Sequence, residues 1–163
     1  MIMIKAEIRI VMGSESDWAV MKEASALLKE MNIPHESVVY SAHRTPEELF
    51  SYMEEAEQNG TRIYIAAAGM AAHLPGVMAS KTILPILGVP MASGALQGVD
   101  ALLSIVQMPP GIPVGTLGIG ASGAKNAALL AVSILALENA TYSEKLREFR
   151  KKQKEIVLSA RLT

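Results

Sequence analysis

The sequence predicts an α/β fold, a three-layer α/β/α sandwich on a parallel sheet of about five strands with a C-terminal helix added. Two observations carry this. Short β-branched runs alternate along the chain with longer stretches of helical period. The composition is 50% hydrophobic but only 4% aromatic, which suits Ala-, Val-, Ile- and Leu-rich helices packed on both faces of a buried parallel sheet. At 163 residues the chain has the size of one ordinary domain.

Taken in order, Ile8 to Met12 is the first strand. Gly13-Ser14-Glu15-Ser16-Asp17 is a polar turn opening a helix that carries Met21, Ala24, Leu27, Leu28 and Met31 on one face. Ser37 to Tyr40 repeats the strand and Ser41 to Pro46 the turn, and Leu49, Met53 and Ala56 mark a second helix ending near Gly60. Arg62 to Ala67 is a third strand, followed by a Gly69-centred loop and a helical stretch from Pro75 to about Lys81. A strand from Pro85 to Val89, a helix from Asp100 to Gln107, a strand from Pro113 to Ile119 and a helix from Gly123 to Glu138 complete the series. Right-handed crossovers between such strands give a flavodoxin-like sheet, and residues 1–140 form that unit.

Residues 141–163 differ. They hold seven Lys or Arg against three Glu, a net +4, while the preceding 140 residues hold 8 basic and 13 acidic side chains, a net −5. Leu146, Phe149, Ile156 and Val157 fall on one stripe at helical spacing. An amphipathic helix packing on a neighbouring, acidic subunit is expected, with docking on its own subunit as the alternative.

Several classes are disfavoured. A net charge of −1 gives no basic footprint for nucleic acid. With no cysteine there is no disulfide framework, thiolate nucleophile or Cys-ligated metal. Lys5, Glu7 and Arg9 interrupt the opening Met1 to Val11, which does not read as a signal peptide, and no apolar stretch reaches the roughly 20 residues that span a bilayer. A soluble cytoplasmic protein with no membrane partner is expected. Three histidines without HxH or HExxH spacing make a metal site unexpected. Gly118, Gly120 and Gly123 fit GxGxxG by letter, but late in the chain and without the unit that should follow.

In open parallel sheets ligands bind outside the carboxyl ends of the strands, and here those ends hold the unusual polar residues. Gly13 permits a tight turn, and Ser14 and Ser16 place hydroxyls beside the free N–H groups of a helix start, a setting that attracts phosphate. The same serines could simply cap the helix. Asp17 either caps it or accepts hydrogen bonds from a ribose diol. After the second strand His43 stands beside Arg44. Arg44 is suited to clamp an anion held by the first loop, and His43 is a natural proton carrier near neutral pH, though a structural or surface histidine is the plainer reading. After the third strand, Ala66 to Gly76 is nearly devoid of polar side chains, so a ligand there meets backbone. His73 in this stretch is either a site residue or a helix-start packing residue. His35 reads as a surface residue.

Gly13-Ser14-Glu15-Ser16-Asp17-Trp18, Ser41-Ala42-His43-Arg44-Thr45-Pro46, Ala71-Ala72-His73-Leu74-Pro75-Gly76 and Ser104-Ile105-Val106-Gln107-Met108-Pro109 stand in the order and spacing of the PurE family. From about Ile8 to Leu137 the chain resembles that family without a large insertion. The resemblance implies an enzyme of purine biosynthesis, an N5-carboxyaminoimidazole ribonucleotide mutase, working as a homo-octamer on a small ribonucleotide with no metal, ATP, biotin or flavin. By position, Ser14, Ser16, Ser41 and Arg44 would hold the 5′-phosphate and Asp17 the ribose hydroxyls. His43 would be the general acid/base at carbon 4 of the imidazole, with His73 at the same catalytic site in a less defined role. The loop through Gly69, Met70, Ala71 and Leu74 would close over the base and the migrating carboxylate. The implied mechanism is loss of CO2, its recapture at carbon 4, and removal of the carbon 4 proton.

Two departures from the family pattern stand out. Ala67 and Met70 occupy positions where the family usually has glycine, and Ala92 precedes Ser93 where glutamine is usual. Glycine would allow positive φ or close ligand approach, so Met70 is expected to crowd the base pocket or alter loop mobility. Two rival functions remain: a direct aminoimidazole ribonucleotide carboxylase using free CO2, and a non-catalytic module binding a phosphoribosyl ligand. A receiver-type regulator would need an acidic cluster at the strand ends, where this chain offers Asp17 and Asp100.

Overall fold

The computed structural model describes residues 5–161, so the first four residues of the opening stretch and the last two of the tail lie outside the described residues. Strands β1 (Ile8–Met12), β2 (His35–Val39), β3 (Ile63–Gly69), β4 (Ile86–Met91) and β5 (Gly115–Thr116) form one parallel sheet in the order β2-β1-β3-β4-β5. This is the flavodoxin-like order. The α-helices are α1 (Trp18–Glu30), α2 (Pro46–Gln58), α3 (Leu74–Ala79), α4 (Val99–Val106), α5 (Ala121–Leu135) and α6 (Ala140–Ser159).

Alternation along the strands builds two cores. Ile8, Ile10 and Met12 of β1, with Ile63 and Ile65 of β3, pack under Met21, Ala24 and Leu28 of α1 and Ala124, Ala128 and Ala131 of α5. On the other face, Val11, Tyr64 and Ala66 meet Leu49 and Met53 of α2, Met78 of α3 and Ile105 of α4. Gly88 in β4 lets α4 come close, since a Cβ there would lie 2.5 Å from Ile105 Cγ2. Arg9, a charge in the central strand, is fully buried. It pairs with Glu36 on β2, and its Nε donates to Thr61 Oγ1 at 3.0 Å. The Tyr52 hydroxyl donates to Glu36 at 2.8 Å and completes the network. Removing one member of such a pair typically costs about 3–5 kcal/mol, because a buried charge is left without its partner.

The structure moves some expected boundaries. β2 begins at His35 rather than Ser37 because His35 and Glu36 pair in register with Ile8 and Arg9 of β1, and both His35 ring nitrogens are tied down. Nδ1 lies 2.9 Å from the Ile33 carbonyl and Nε2 2.8 Å from Ser25 Oγ. His35 is therefore a half-buried structural residue, not a surface one. β5 is only Gly115 and Thr116, paired with Leu87 and Gly88. Pro113 has no N–H to give to a ladder, and beyond Thr116 the contact with β4 continues only through Leu117 N–H to Gly88 and Gly120 N–H to Pro90, each at 2.9 Å. α5 starts at Ala121 and ends at Leu135. Gly123 lies so close to the Gly118 carbonyl that no Cβ would fit, which gives the GxGxxG letters a packing role.

The tail helix divides along its length. Asn139 Oδ1 caps α6 by accepting from Thr141 N–H at 3.0 Å. Tyr142 is buried and donates to Glu7, Leu146 and Phe149 pack on the core, and Lys145 Nζ donates to the Met31 and Asn32 carbonyls at 2.7 and 3.3 Å. Thus the first half docks on its own subunit. From Lys151 onward the described residues are exposed, Ile156 at 63% and Val157 at 72%. No helix among the described residues is long and apolar enough to cross a membrane.

Candidate active site

β1 and β3 are neighbours whose chains leave the sheet on opposite faces, β1 into α1 and β3 into α3, so a crevice opens at their carboxyl ends. The loops after β1, β2, β3 and β4 converge there on a cleft of about 450 Å³. In the first loop Ser14 is extended, with φ −151° and ψ 150°, and caps a 3-10 turn, Glu15–Asp17, leading into α1. Its Oγ accepts from the Ser16 amide at 3.4 Å and the Ser16 hydroxyl at 2.9 Å. Neither bond uses the proton of Ser14 itself. Asp17 makes no capping bond to α1. Burial raises its carboxyl above the ordinary value of 3.8, opposed by a backbone hydrogen bond with Ser14.

The second loop is fastened by Ser41, whose Oγ accepts from the Arg44 amide at 3.2 Å and from Arg44 Nε at 3.3 Å. Arg44 Nη2 then crosses to the Gly13 carbonyl at 2.7 Å. The guanidinium thereby stands over the two serine turns, and with the N–H groups opening α1 it makes this end of the cleft electropositive.

The third loop supplies the other end. His73 Nδ1 lies 2.8 Å from His43 Nε2, the rings edge to face with centroids 5.0 Å apart. One nitrogen donates and the other accepts, so one proton lies on the line between the two rings. Ala68, Gly69, Met70 and Ala71 form the adjoining wall, with buried Leu74 beneath. Gly69 has no room for a side chain, since a Cβ would lie 2.5 Å from Ser93 Oγ. Met70 has φ +52°, the left-handed conformation that glycine favours. Its side chain is 60% exposed and stands at the rim, so it does not crowd the cleft as expected. Ala67 lies inside β3, opposite Met12 and Val89, and its methyl belongs to the core.

All eleven residues expected at the site, from Ser14 to Leu74, therefore face one cleft. Gly13, Ala42, Ala68 and Ser93 line it as well and are not among those expected. Ser93 carried a signal, being a hydroxyl just past the end of a strand, as Ser14 and Ser41 are. Its contact with Gly69 carried none, because it depends on how β3 and β4 pair.

An anion-binding end, a histidine pair and an apolar wall, at the switch point of a flavodoxin-like sheet, define an enzyme-type site for a small phosphorylated molecule. The chain belongs to the AIR carboxylase family, whose model matches residues 7–156. It is 57% identical over 153 residues to the N5-carboxyaminoimidazole ribonucleotide mutase of Escherichia coli, covering 94% of this chain and 90% of that protein. It is 53% identical over 151 residues to the Bacillus subtilis protein of the same name, covering 93% of each. The Saccharolobus solfataricus protein of that name is 51% identical over 156 residues, covering 96% and 98%. Among solved structures, PurE from Treponema denticola matches with a TM-score of 0.84 over 93% of both chains at 27% identity.

Proposed function

We propose that this chain interconverts N5-carboxyaminoimidazole ribonucleotide and 4-carboxy-5-aminoimidazole ribonucleotide, an isomerase step of purine biosynthesis. The observation that carries the reading is the convergence of an anion-binding end and a histidine pair on one small-walled cleft. Relatives at 51–57% identity bear the mutase name. The 5′-phosphate rests on the Ser14, Ser16 and Ser41 hydroxyls against Arg44, and the ribose diol on Asp17. The base then extends along Gly69 to Leu74 towards His43 and His73.

The chemistry needs one proton delivered to the exocyclic nitrogen as CO2 leaves, and one removed from carbon 4 after CO2 adds there. The two balance, so a single group that donates and then accepts completes the cycle. His43 fills that role, with His73 able to exchange the proton along the shared line. An apolar wall desolvates the leaving carboxylate and holds CO2 beside carbon 4, making recapture effectively intramolecular. The same reading makes the chain a cytoplasmic homo-octamer without metal or other cofactor, in which the outer half of α6, from Lys151, packs on a neighbouring subunit. Leu103 and Val106 of α4, each about half exposed, and the bare outer half of α6 support subunit packing.

The test follows conversion of N5-carboxyaminoimidazole ribonucleotide by wild type and His43→Asn. Asn keeps a hydrogen-bond donor but carries no proton at neutral pH, so turnover should fall by about 10²- to 10⁴-fold while nucleotide still binds. A variant retaining more than about a tenth of the wild-type rate refutes the role of His43. No conversion by wild type refutes the mutase and leaves the direct carboxylase or the binding module.

A further inference from the structure

One residue of the cleft wall breaks a local rule. Among the described residues three non-glycine positions have positive φ: Asn32, Met70 and Gln97. Asn32 follows the end of α1, where asparagine is a common left-handed residue. Gln97 ties its own side chain to the Gly94 carbonyl at 2.8 Å. Met70 has no such compensation, since a thioether has no hydrogen to donate. Backbone held in this region persists where the surroundings fix it, and such positions cluster at functional sites. Here Gly69, wedged against Ser93, fixes the approach to residue 70.

The conformation places the Met70 side chain at the mouth of the cleft. Of the side chains lining it, only Leu74 and Met70 are large and apolar; Leu74 is 3% exposed, whereas Met70 is 60% exposed at the rim. Met70 also reaches towards the loop after β4, where a Cβ on Gly94 would lie 3.9 Å from Met70 Cγ. It therefore stands between two loops that border the mouth. We propose that Met70 caps the cleft and sets how often released CO2 is recaptured rather than lost, an inference that rests on the mutase reading. CO2 is uncharged, so the serines, Asp17 and Arg44 do not hold it, and alanine and glycine walls leave it uncovered. An unbranched, adaptable thioether can fold over the base beneath it.

The experiment supplies unlabelled N5-carboxyaminoimidazole ribonucleotide in isotope-labelled bicarbonate and reads the labelled fraction of early product by mass spectrometry. Counted per molecule formed and corrected for the label that the substrate takes up without enzyme over the same time, that fraction does not depend on overall rate. Met70→Ala and Met70→Gly should raise it several-fold over wild type, and Met70→Leu should restore it towards the wild-type value. Thermal melts of the same proteins separate side chain from backbone. Met70→Gly takes positive φ freely and should melt above Met70→Ala, yet both should leak CO2. Equal labelled fractions in wild type and all three variants overturn the cap while leaving the mutase reading standing. Label entering wild-type product as fast as product forms overturns the mutase reading itself, and the cap falls with it.

Discussion

Arg44 is already in place before any anion arrives. Its guanidinium lies on the Gly13 carbonyl and the Ser41 hydroxyl, so little side-chain freedom is left to lose when a phosphate adds charge-assisted bonds. Arg44→Ala should weaken ribonucleotide binding roughly ten- to a hundredfold and riboside binding hardly at all, measured by titration calorimetry. A variant that still discriminates ribonucleotide from riboside as well as wild type places the clamp elsewhere. Asp17 makes the opposite kind of contribution in the empty protein. Burial raises its carboxyl, so the folded state binds a proton more readily than the unfolded one and stability falls as pH rises through that window. Asp17→Asn removes this cost. The free variant should melt above wild type near neutral pH, with the gap closing as pH drops towards the ordinary carboxylate value of 3.8. A lower melting temperature at neutral pH would show instead that the carboxylate stabilises the fold. At this scale residue type was legible: a serine pair, an arginine and two histidines at strand ends announce themselves. The 2.8 Å line between His43 and His73 was not, because it depends on where two loops thirty positions apart end up.

α6 is two structures in one helix. Tyr142, Leu146 and Phe149 anchor its first half, while the described residues after Arg150 stand in solvent with a basic face and an exposed Ile156, Val157 and Leu158. Deleting residues 151–163 should therefore leave the fold and its melting temperature nearly intact but shift the assembly to smaller species in sedimentation velocity. An unchanged assembly would show that this half covers nothing on a neighbour. The sequence pattern revealed the stripe but not its division, since helical periodicity says that a face needs cover and is silent about what covers it. β5 was overread for a related reason. Val114, Thr116, Leu117 and Ile119 have the residue types of a strand, yet Pro113 and the glycines deny the edge a continuous ladder. Arg9 was visible only as a charge in an apolar run, and its partners Glu36, Tyr52 and Thr61 lie on three other segments.

The whole molecule is a sheet that brings four loops to one edge. Apolar runs, turn residues and right-handed crossovers were enough to predict that arrangement, because the central strands β1, β3 and β4 are buried on both faces and their carboxyl ends are the place left for polar chemistry. What the arrangement creates is asymmetry across a single cleft, electropositive at one end and small-walled at the other. The proposed mutase reaction requires that CO2 be released and recaptured inside that cleft, which separates it from an enzyme that takes CO2 from solution. The direct measurement gives wild-type protein unlabelled N5-carboxyaminoimidazole ribonucleotide in labelled bicarbonate and compares, over the first turnovers, the rate of label entry with the rate of product formation. Product that forms well ahead of its label is the predicted result. Label entering as fast as product forms, or aminoimidazole ribonucleotide with bicarbonate proving the better substrate, would contradict it and make the chain a direct carboxylase.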